Sequence, residues 1–269
     1  MPKTIIEPFK IKSVEPIFMS TKDERERYIK EARYNPFLLH SRHVIIDLLT
    51  DSGTSAMSSE QWAGIMRGDE SYAGASSWEI LYKEINDLTG FEYVLPTHQG
   101  RAAERILYGQ LGGPGKVFLS NTHFDTTRAN IEFAGATAID IPTKLAADHD
   151  SDYHFKGDID LERLEAEIAK HGAENIAGVV LTVTNNSGGG QPVSMENARL
   201  TSEICRRNNI LFILDCCRIA ENAWFIHQYE QGFDKRSYRE IAQEMFRLAD
   251  GCIMSAKKDA LVNMGGFLA

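Results

Sequence analysis

The sequence lacks the marks of several protein classes. No apolar run approaches the length of about eighteen residues needed for a membrane span, and the N-terminal stretch MPKTIIEPFKIKS has no long apolar core of the signal-peptide kind. Lysine and arginine number 29 against 38 aspartates and glutamates. The resulting net charge of -9 therefore gives no indication of a nucleic-acid or anionic-membrane partner.

Cysteine is also scarce, and there is neither an internal repeat nor a low-complexity linker. The four cysteines form no CxxC pair and no cluster with histidine, which is typical of reduced thiols in a cytoplasmic protein: Cys205, Cys216, Cys217 and Cys252. A chain of 269 residues, 43% hydrophobic, fits one large domain or two modest ones.

The pattern from Phe91 onward alternates between short apolar runs and helical segments. The runs are EYVLPT, KVFLSN, ATAIDIP, AGVVLTVT, ILFILD and GCIMSA. Because most of them are apolar throughout, they predict strands buried on both faces of a mainly parallel sheet. The predicted fold class is a three-layer α/β architecture.

Helices are predicted between most of these runs and near the N-terminus. The interior segments are 101–111, 160–171, 194–208 and 238–248. Thr21 and Glu24 form a capping-box pattern at the start of TKDERERYIKEARY, which predicts a helix there. The stretch before it, to about Ser20, is punctuated by proline and predicted to be extended.

Polar side chains follow several strands at the sheet edge where ligands of α/β proteins gather. Each has an ordinary structural interpretation beside a functional one. Gly100 and Arg101 open a helix whose N-terminus would bind a phosphate. The structural alternative is that Gly100 is a turn glycine and Arg101 a surface charge. Phe124 is a ring-stacking side chain or a core aromatic, and Asp215 is a functional acid or a helix cap.

Lys257 and Lys258 follow the last of the six runs in SAKKD. Most such pairs are surface charges. A pyridoxal phosphate site, however, requires a lysine for a Schiff base, an acid for the pyridinium nitrogen, a phosphate cradle and a stacking side chain. An acid after one strand and a lysine after the next, about forty residues on, match that requirement. The pair therefore predicts a nucleophilic lysine.

Seven motifs carry a resemblance to a known family. They are PFLLHSRHVIIDLLTDSGT, MRGDESYAG, PTHQGR, FKGDIDL, GGQPVS, AENAWFI and MSAKKDALVNMGGFL. From about Glu7 to its last residue, the chain resembles the tryptophan indole-lyase and tyrosine phenol-lyase family of pyridoxal-phosphate-dependent β-eliminating lyases. The resemblance implies the large domain of an aspartate-aminotransferase-like fold of type I, with a seven-stranded sheet.

The resemblance also implies a role for individual residues of the cofactor site. Lys258 forms the Schiff base, with Lys257 beside it as a polar helper. Asp215 pairs with the ring nitrogen and Phe124 stacks on the ring. The remaining cofactor contacts implied by the family are Ser52, Gln99, Gly100, Arg101 and Ser255 at the phosphate, and Asn186 and Arg218 at the ring 3-oxygen.

Further implied residues belong to the substrate and to a monovalent cation. Tyr72 is the general acid toward the leaving aromatic carbon. Asn186, Arg218, Thr50 and Asp125 belong to the substrate site. A potassium ion is bound through Glu70 and through backbone carbonyls at Gly53 and Asn263.

One position bears on the choice of substrate. Asp125 in FDTT resembles the tryptophan lyases, whereas the phenol-lyases have threonine there, and an acid can interact with an indole N–H that a phenol lacks. The alternative structural interpretation is that Asp125 only caps the helix that follows it. EPFKIKSVE and FKGDIDLERLE are closer to the phenol-lyases, so tryptophan is the main substrate prediction and tyrosine, or another β-substituted amino acid, the alternative.

Family members are longer than this chain. The expected organisation is an arm and first helix at 1–45 and a cofactor-binding large domain at 46–269, with a small C-terminal domain outside the chain. Three interpretations account for the shorter length: a fragment, a truncated gene product, or one half of a split enzyme. The non-catalytic alternative is a fragment that only binds cofactor or partner. The family resemblance implies a homotetramer, a dimer of dimers with sites at dimer interfaces.

The chain departs from the family pattern at DCCR, which places Cys216 and Cys217 between the acid and the arginine, near the cofactor ring.

Overall fold

The computed structural model describes residues 16–50, 52–53 and 56–269. The chain separates into two compact units, Met1–Asp51 and Ser52–Ala269. Most of the predicted extended arm lies outside the described residues. The division at residue 45, with a further C-terminal domain, stays a prediction.

The first unit contains one α-helix, α1 (Lys22–Glu31), among its described residues. The predicted capping box is confirmed: the Thr21 side chain accepts from the Glu24 amide, and the Glu24 carboxylate accepts from the Thr21 amide at 2.8 Å. Two short 3₁₀ turns, Pro36–Leu38 and Ser41–His43, follow α1.

The second unit is built on a seven-stranded sheet in the order β1-β7-β6-β5-β4-β2-β3. The strands are β1 (Leu95–Thr97), β2 (Val117–Ser120), β3 (Thr137–Asp140), β4 (Ile176–Thr182), β5 (Phe212–Asp215), β6 (Gly251–Ser255) and β7 (Gly266–Leu268). Only β7 runs antiparallel to its neighbours β1 and β6; the other pairs are parallel. Each predicted apolar run contains one strand, so the predicted sheet is confirmed.

Helices cover both faces of this sheet. They are α2 (Ser59–Arg67), α3 (Ser76–Thr89), α4 (Gly100–Leu111), α5 (Asp125–Phe133), α6 (Leu161–His171), α7 (Met195–Arg207), α8 (Ile219–Tyr229) and α9 (Tyr238–Leu248). The four predicted interior helices match α4, α6, α7 and α9 to within about one residue at each end. α2, α3, α5 and α8 are additional to these four predicted segments.

Two hydrophobic clusters, one on each face, account for strands that are apolar throughout. Val117 and Leu119 of β2 pack into the larger cluster, whereas Phe118 between them packs into the smaller one with Tyr108 of α4 and Ile131 of α5. Alternate side chains of a strand point to opposite faces, so a strand covered on both sides needs apolar residues at every position. The three-layer prediction is therefore correct.

The helices α2 and α3 present apolar side chains to solvent. The exposed ones include Trp62, Ile65 and Met66 on α2, and Ile80 and Leu81 on α3. Several large apolar side chains on neighbouring helical turns mark a surface that other protein covers in many assemblies. Separately, no helix in the described part of the chain is long and apolar enough to cross a membrane.

Candidate active site

A cleft lies at the carboxyl ends of the central parallel strands. β4, β5 and β6 are neighbours in the sheet, and Thr182 of β4 pairs with Asp215 of β5. The cleft encloses about 610 Å³, including the part that opens to solvent. Its lining comprises Ser52, Gln99, Gly100, Arg101, Glu104, Phe124, Thr126, Thr182, Thr184, Asn186, Asp215, Cys217, Arg218, Ile253, Met254, Ser255, Lys257 and Lys258.

The N-terminus of α4 forms one wall, packed tightly on the end of β6. A Cβ atom added to Gly100 would lie 2.7 Å from the Cβ of Ser255, so only glycine permits this approach. Gln99 precedes the helix with an extended backbone, and Arg101 is exposed in its first turn. The first amides of a helix have no intrahelical acceptor and favour an anion. This wall can therefore hold a phosphate.

Asp215 ends β5 at the floor of the cleft and is buried. Burial raises the pKa of its carboxyl, while the hydrogen bond from the Cys217 thiol and the charge of Lys258 act in the opposite direction. The Cys217 Sγ to Asp215 Oδ1 distance is 2.9 Å. The acid and the lysine thus face each other across the cleft at the ends of neighbouring strands.

Lys258 and Lys257 lie in the turn after β6, and both line the cleft. The Lys257 carbonyl accepts a 3.0 Å hydrogen bond from the Gly53 amide. Gly53 has φ +76°, and an added Cβ would meet the Asn263 carbonyl oxygen at 3.3 Å. Gly53 therefore lies against both Lys257 and Asn263.

Phe124 and Arg218 form another part of the cleft wall. Phe124 is the residue before α5, and Arg218 is the residue before α8, so both lie at helix N-termini that open on the cleft. Arg218 forms an ion pair with Glu221 at 3.7 Å. Asn186, in the loop after β4, also lines the cleft.

Six predicted site residues are outside this lining: Gly53 and Asn263, described above, and Tyr72, Glu70, Asp125 and Thr50. Tyr72 is fully exposed between α2 and α3. Glu70, close to it, makes no hydrogen bond or ion pair with any other residue that the structure describes. Asp125 is exposed and its Oδ1 accepts from the Thr126 amide at 2.6 Å. Thr50 belongs to the first unit, where its amide donates to Asp47 at 3.0 Å.

Glu104 is a cleft residue that the sequence patterns did not identify. It is buried, and its carboxylate accepts from the Thr127 hydroxyl at 2.6 Å and from Asn130 at 3.3 Å. Burial raises the pKa of Glu104; the Thr127 bond opposes this shift and the charge of Asp215 adds to it. Its spacing of four residues from Gly100 places both on one face of α4, which is the signal that could have found it.

Thr182 and Thr184 are further unpredicted cleft residues. Both are buried, Thr182 as the last residue of β4 and Thr184 two residues after it. The Thr184 hydroxyl has no hydrogen-bond partner in the described part of the chain. A buried hydroxyl that faces a cleft without a partner is a position for a polar ligand atom.

Comparisons with known proteins agree with this geometry. A model of the beta-eliminating lyase family matches residues 47–269. The chain is 58% identical over 266 residues to tryptophanase from Salinibacter ruber, covering 99% of this chain and 56% of that protein. It is 51% identical over 263 residues to tyrosine phenol-lyase from Clostridium tetani, covering 98% and 57%. The chain thus spans little more than half the length of these relatives.

Solved structures with little sequence identity share the fold. A protein from Exiguobacterium sp. 255-15, named as a candidate aromatic amino acid beta-eliminating lyase/threonine aldolase, matches with a TM-score of 0.57 at 17% identity, over 81% of this chain and 57% of that one. The aminotransferase TlmJ from Streptoalloteichus hindustanus matches with a TM-score of 0.52 at 13% identity, over 80% and 51%. The predicted aspartate-aminotransferase-like fold is confirmed, and the chain belongs to the beta-eliminating lyase family.

Proposed function

We propose that this chain is the cofactor-binding part of a pyridoxal-phosphate-dependent lyase that eliminates the β-substituent of an aromatic L-amino acid. The observation that carries the proposal is the placement of Asp215 and Lys258, a buried acid and a lysine at the ends of adjacent strands facing one cleft. The family match and the relatives named tryptophanase and tyrosine phenol-lyase support the same reaction class.

The cleft fits the proposed cofactor on three counts. The close packing of Gly100 on Ser255 leaves a cradle at a helix N-terminus for the phosphate, with Arg101, Gln99 and Ser52 around it. Phe124 supplies an aromatic face. The unpartnered Thr184 hydroxyl offers a polar atom inside the cleft.

Pyridoxal phosphate, when bound, supplies an electron sink for the charge left at the substrate Cα. In the proposed reaction the Lys258 amine takes the proton from that Cα, and Lys257 is its polar helper. The Asp215 carboxylate holds a proton at the ring nitrogen. Tyr72 donates a proton to the leaving ring carbon, because an aromatic carbanion does not depart unassisted.

Tryptophan is the proposed main substrate, giving indole, pyruvate and ammonia; tyrosine, giving phenol, is the second candidate. The Salinibacter ruber tryptophanase is 58% identical to this chain and the Clostridium tetani tyrosine phenol-lyase 51%. Asn186 and Arg218, which line the cleft, are the proposed contacts of the substrate carboxylate region. Asp125 and Thr50 are the further proposed substrate residues.

The assignment of Lys258 can be tested with borohydride, which reduces a Schiff base to a stable bond. We expect the full chain to keep the cofactor covalently after reduction and denaturation, as mass spectrometry would show. Lys258→Ala loses the adduct, whereas the matched variant Lys257→Ala keeps it. A cofactor adduct that persists in Lys258→Ala would remove Lys258 from the proposed role.

Activity requires its own assay, since the chain spans only part of its relatives. Indole and pyruvate release from tryptophan is measured for the chain alone and together with any second chain that co-purifies with it. Activity only in the second case supports a split enzyme whose partner carries the small domain. Cofactor binding with no turnover in either case supports a non-catalytic fragment.

A potassium site is proposed at Gly53 and Asn263, with Glu70 as the charged ligand. The support is the approach of the Asn263 carbonyl to Gly53. We expect turnover to be several-fold higher in potassium than in sodium, because the smaller ion fits carbonyl ligands differently. Equal rates in the two salts, measured at one ionic strength, contradict this site.

A homo-oligomer, with the site completed by a second copy, is the proposed assembly. The full exposure of Tyr72 and the uncovered apolar side chains of α2 and α3 support it. A cytoplasmic location is proposed as well. All four cysteines are free thiols, as expected in a reducing compartment.

A further inference from the structure

Cys217 occupies a position between two functional residues of the cleft. Its thiol donates to the Oδ1 atom of Asp215, with Sγ at 2.9 Å from that oxygen. Its sulfur also accepts from the Ser255 amide at 3.2 Å. One side chain thus joins the end of β5, which carries the acid, to the end of β6, which precedes the lysine pair.

The chemistry of this thiol suits a donor. Burial raises the pKa of Cys217 well above its ordinary value, and the charge of Asp215 acts in the same direction. The thiol therefore stays protonated at neutral pH and can donate. Within the described part of the chain, Cys217 alone supplies the hydrogen bonds to the Asp215 carboxylate.

We propose that Cys217 is a positioning residue that orients the Asp215 carboxylate and keeps it ionised toward the cofactor. The inference rests on the proposed function, in which Asp215 holds a proton at the ring nitrogen. A thiol donor to Oδ1 stabilises the ionised carboxylate, so the shared proton stays on the ring. Without that donor the proton moves toward Asp215.

Cys216 provides a matched control in the same sequence. It is the neighbouring residue, it is buried, and it also carries a thiol. Its Sγ, however, donates to the Ile253 carbonyl at 3.3 Å rather than to a carboxylate. A difference between variants at 216 and 217 therefore reports the contact with Asp215 and not the loss of a buried thiol in general.

The experiment uses the full chain loaded with pyridoxal phosphate labelled with ¹⁵N in the ring. The ¹⁵N chemical shift reports the protonation of that nitrogen directly, and it is followed across pH for the wild type, Cys217→Ala, Cys217→Ser and Cys216→Ala. In Cys217→Ala we expect the shift to move toward that of an unprotonated ring. The dissociation constant for the cofactor is also expected to rise, about threefold to tenfold, which is the range for loss of one ordinary hydrogen bond.

Cys217→Ser separates the donor from the sulfur. Serine keeps a donor, so we expect its ¹⁵N shift to lie near the wild-type value, and Cys216→Ala to match the wild type. An Ala variant at 217 with wild-type shift and affinity overturns the inference, as does a Cys216→Ala variant that reproduces the change. If the wild type itself binds no cofactor, the proposed function fails instead, and the two failures are distinguishable.

Discussion

Two buried carboxylates, Asp215 and Asp158, differ in how completely their oxygens are hydrogen-bonded. Asp158 lies before α6 and accepts from the Tyr153 hydroxyl at 2.5 Å, the Ser194 amide at 2.7 Å and the Ser194 hydroxyl at 3.1 Å. Asp215 accepts only from Cys217 among the described residues and faces the cleft. A carboxylate surrounded by donors holds a fold together, whereas one left with free acceptor capacity beside a cleft is available to a ligand.

The largest expected effect is on Asp215. Asp215→Ala is expected to lower turnover about a thousandfold, because the proton on the cofactor ring loses its counter-charge. The free energy of unfolding is expected to stay within about 1 kcal/mol of the wild type, since the substitution removes a poorly paired buried acid. Steady-state kinetics and urea unfolding measure the two quantities; near-full turnover would exclude the assigned role.

The second expected effect is the pH dependence that Asp158 contributes to stability. Burial raises the pKa of Asp158 to about 6 from the ordinary value of 3.8, while bonds from Tyr153 and Ser194 act against the shift. The folded state therefore binds more protons than the unfolded state between these values, so this contribution to stability falls as pH rises from about 4 to about 6. Across this pH range, the contribution of Asp158 to the free energy of unfolding changes by up to about 3 kcal/mol.

Asp158→Asn removes that titration and tests it. At pH 7.5 the substitution is expected to cost about 2 kcal/mol, because an amide cannot accept from all three donors. The deficit relative to the wild type is expected to grow as the pH is lowered through 6. Urea unfolding at several pH values measures this deficit in the free energy of unfolding. Turnover per folded molecule is expected to stay unchanged, in contrast to Asp215→Ala. A deficit that does not change with pH contradicts the assignment.

The smallest expected effect concerns Asp125, whose neighbours Phe124 and Thr126 line the cleft. Asp125→Thr is expected to lower tryptophan elimination by more than about tenfold, which corresponds to roughly 1.4 kcal/mol of transition-state stabilisation. Elimination from an S-alkyl cysteine is expected to fall much less, because that leaving group needs no protonation of a ring carbon. Equal losses on both substrates would leave Asp125 with only its bond to the Thr126 amide.

Much of the sheet could be predicted because strands buried on two faces are apolar at every position. In β2, for example, Val117 and Leu119 pack into one hydrophobic cluster and Phe118 between them packs into the other, on the opposite face. The helices α2 and α3 could not be predicted in the same way. Their apolar side chains, such as Trp62 and Ile80, are exposed, so those residues do not mark a buried face.

The cleft was predictable to the extent that each residue directly follows a strand or opens a helix. Asp215, Ser255 and Lys258 could be identified for that reason. Glu104 was missed because it lies inside α4, one turn after Gly100, and its bond to Thr127 of α5 depends on how the two helices pack. Helix packing is decided by contacts between segments distant along the chain.

By itself, the sequence determined where the strands end, and thereby that an acid and a lysine follow two strands that are successive along the chain. Only the tertiary structure decided that Asp158 is surrounded by donors and that Asp215 is not. The donors of Asp158 include Ser194, 36 residues further along the chain, and the sulfur beside Asp215 meets an amide 38 residues away. The sequence names a carboxylate, but packing between distant segments decides whether its oxygens are already occupied or remain available to a ligand.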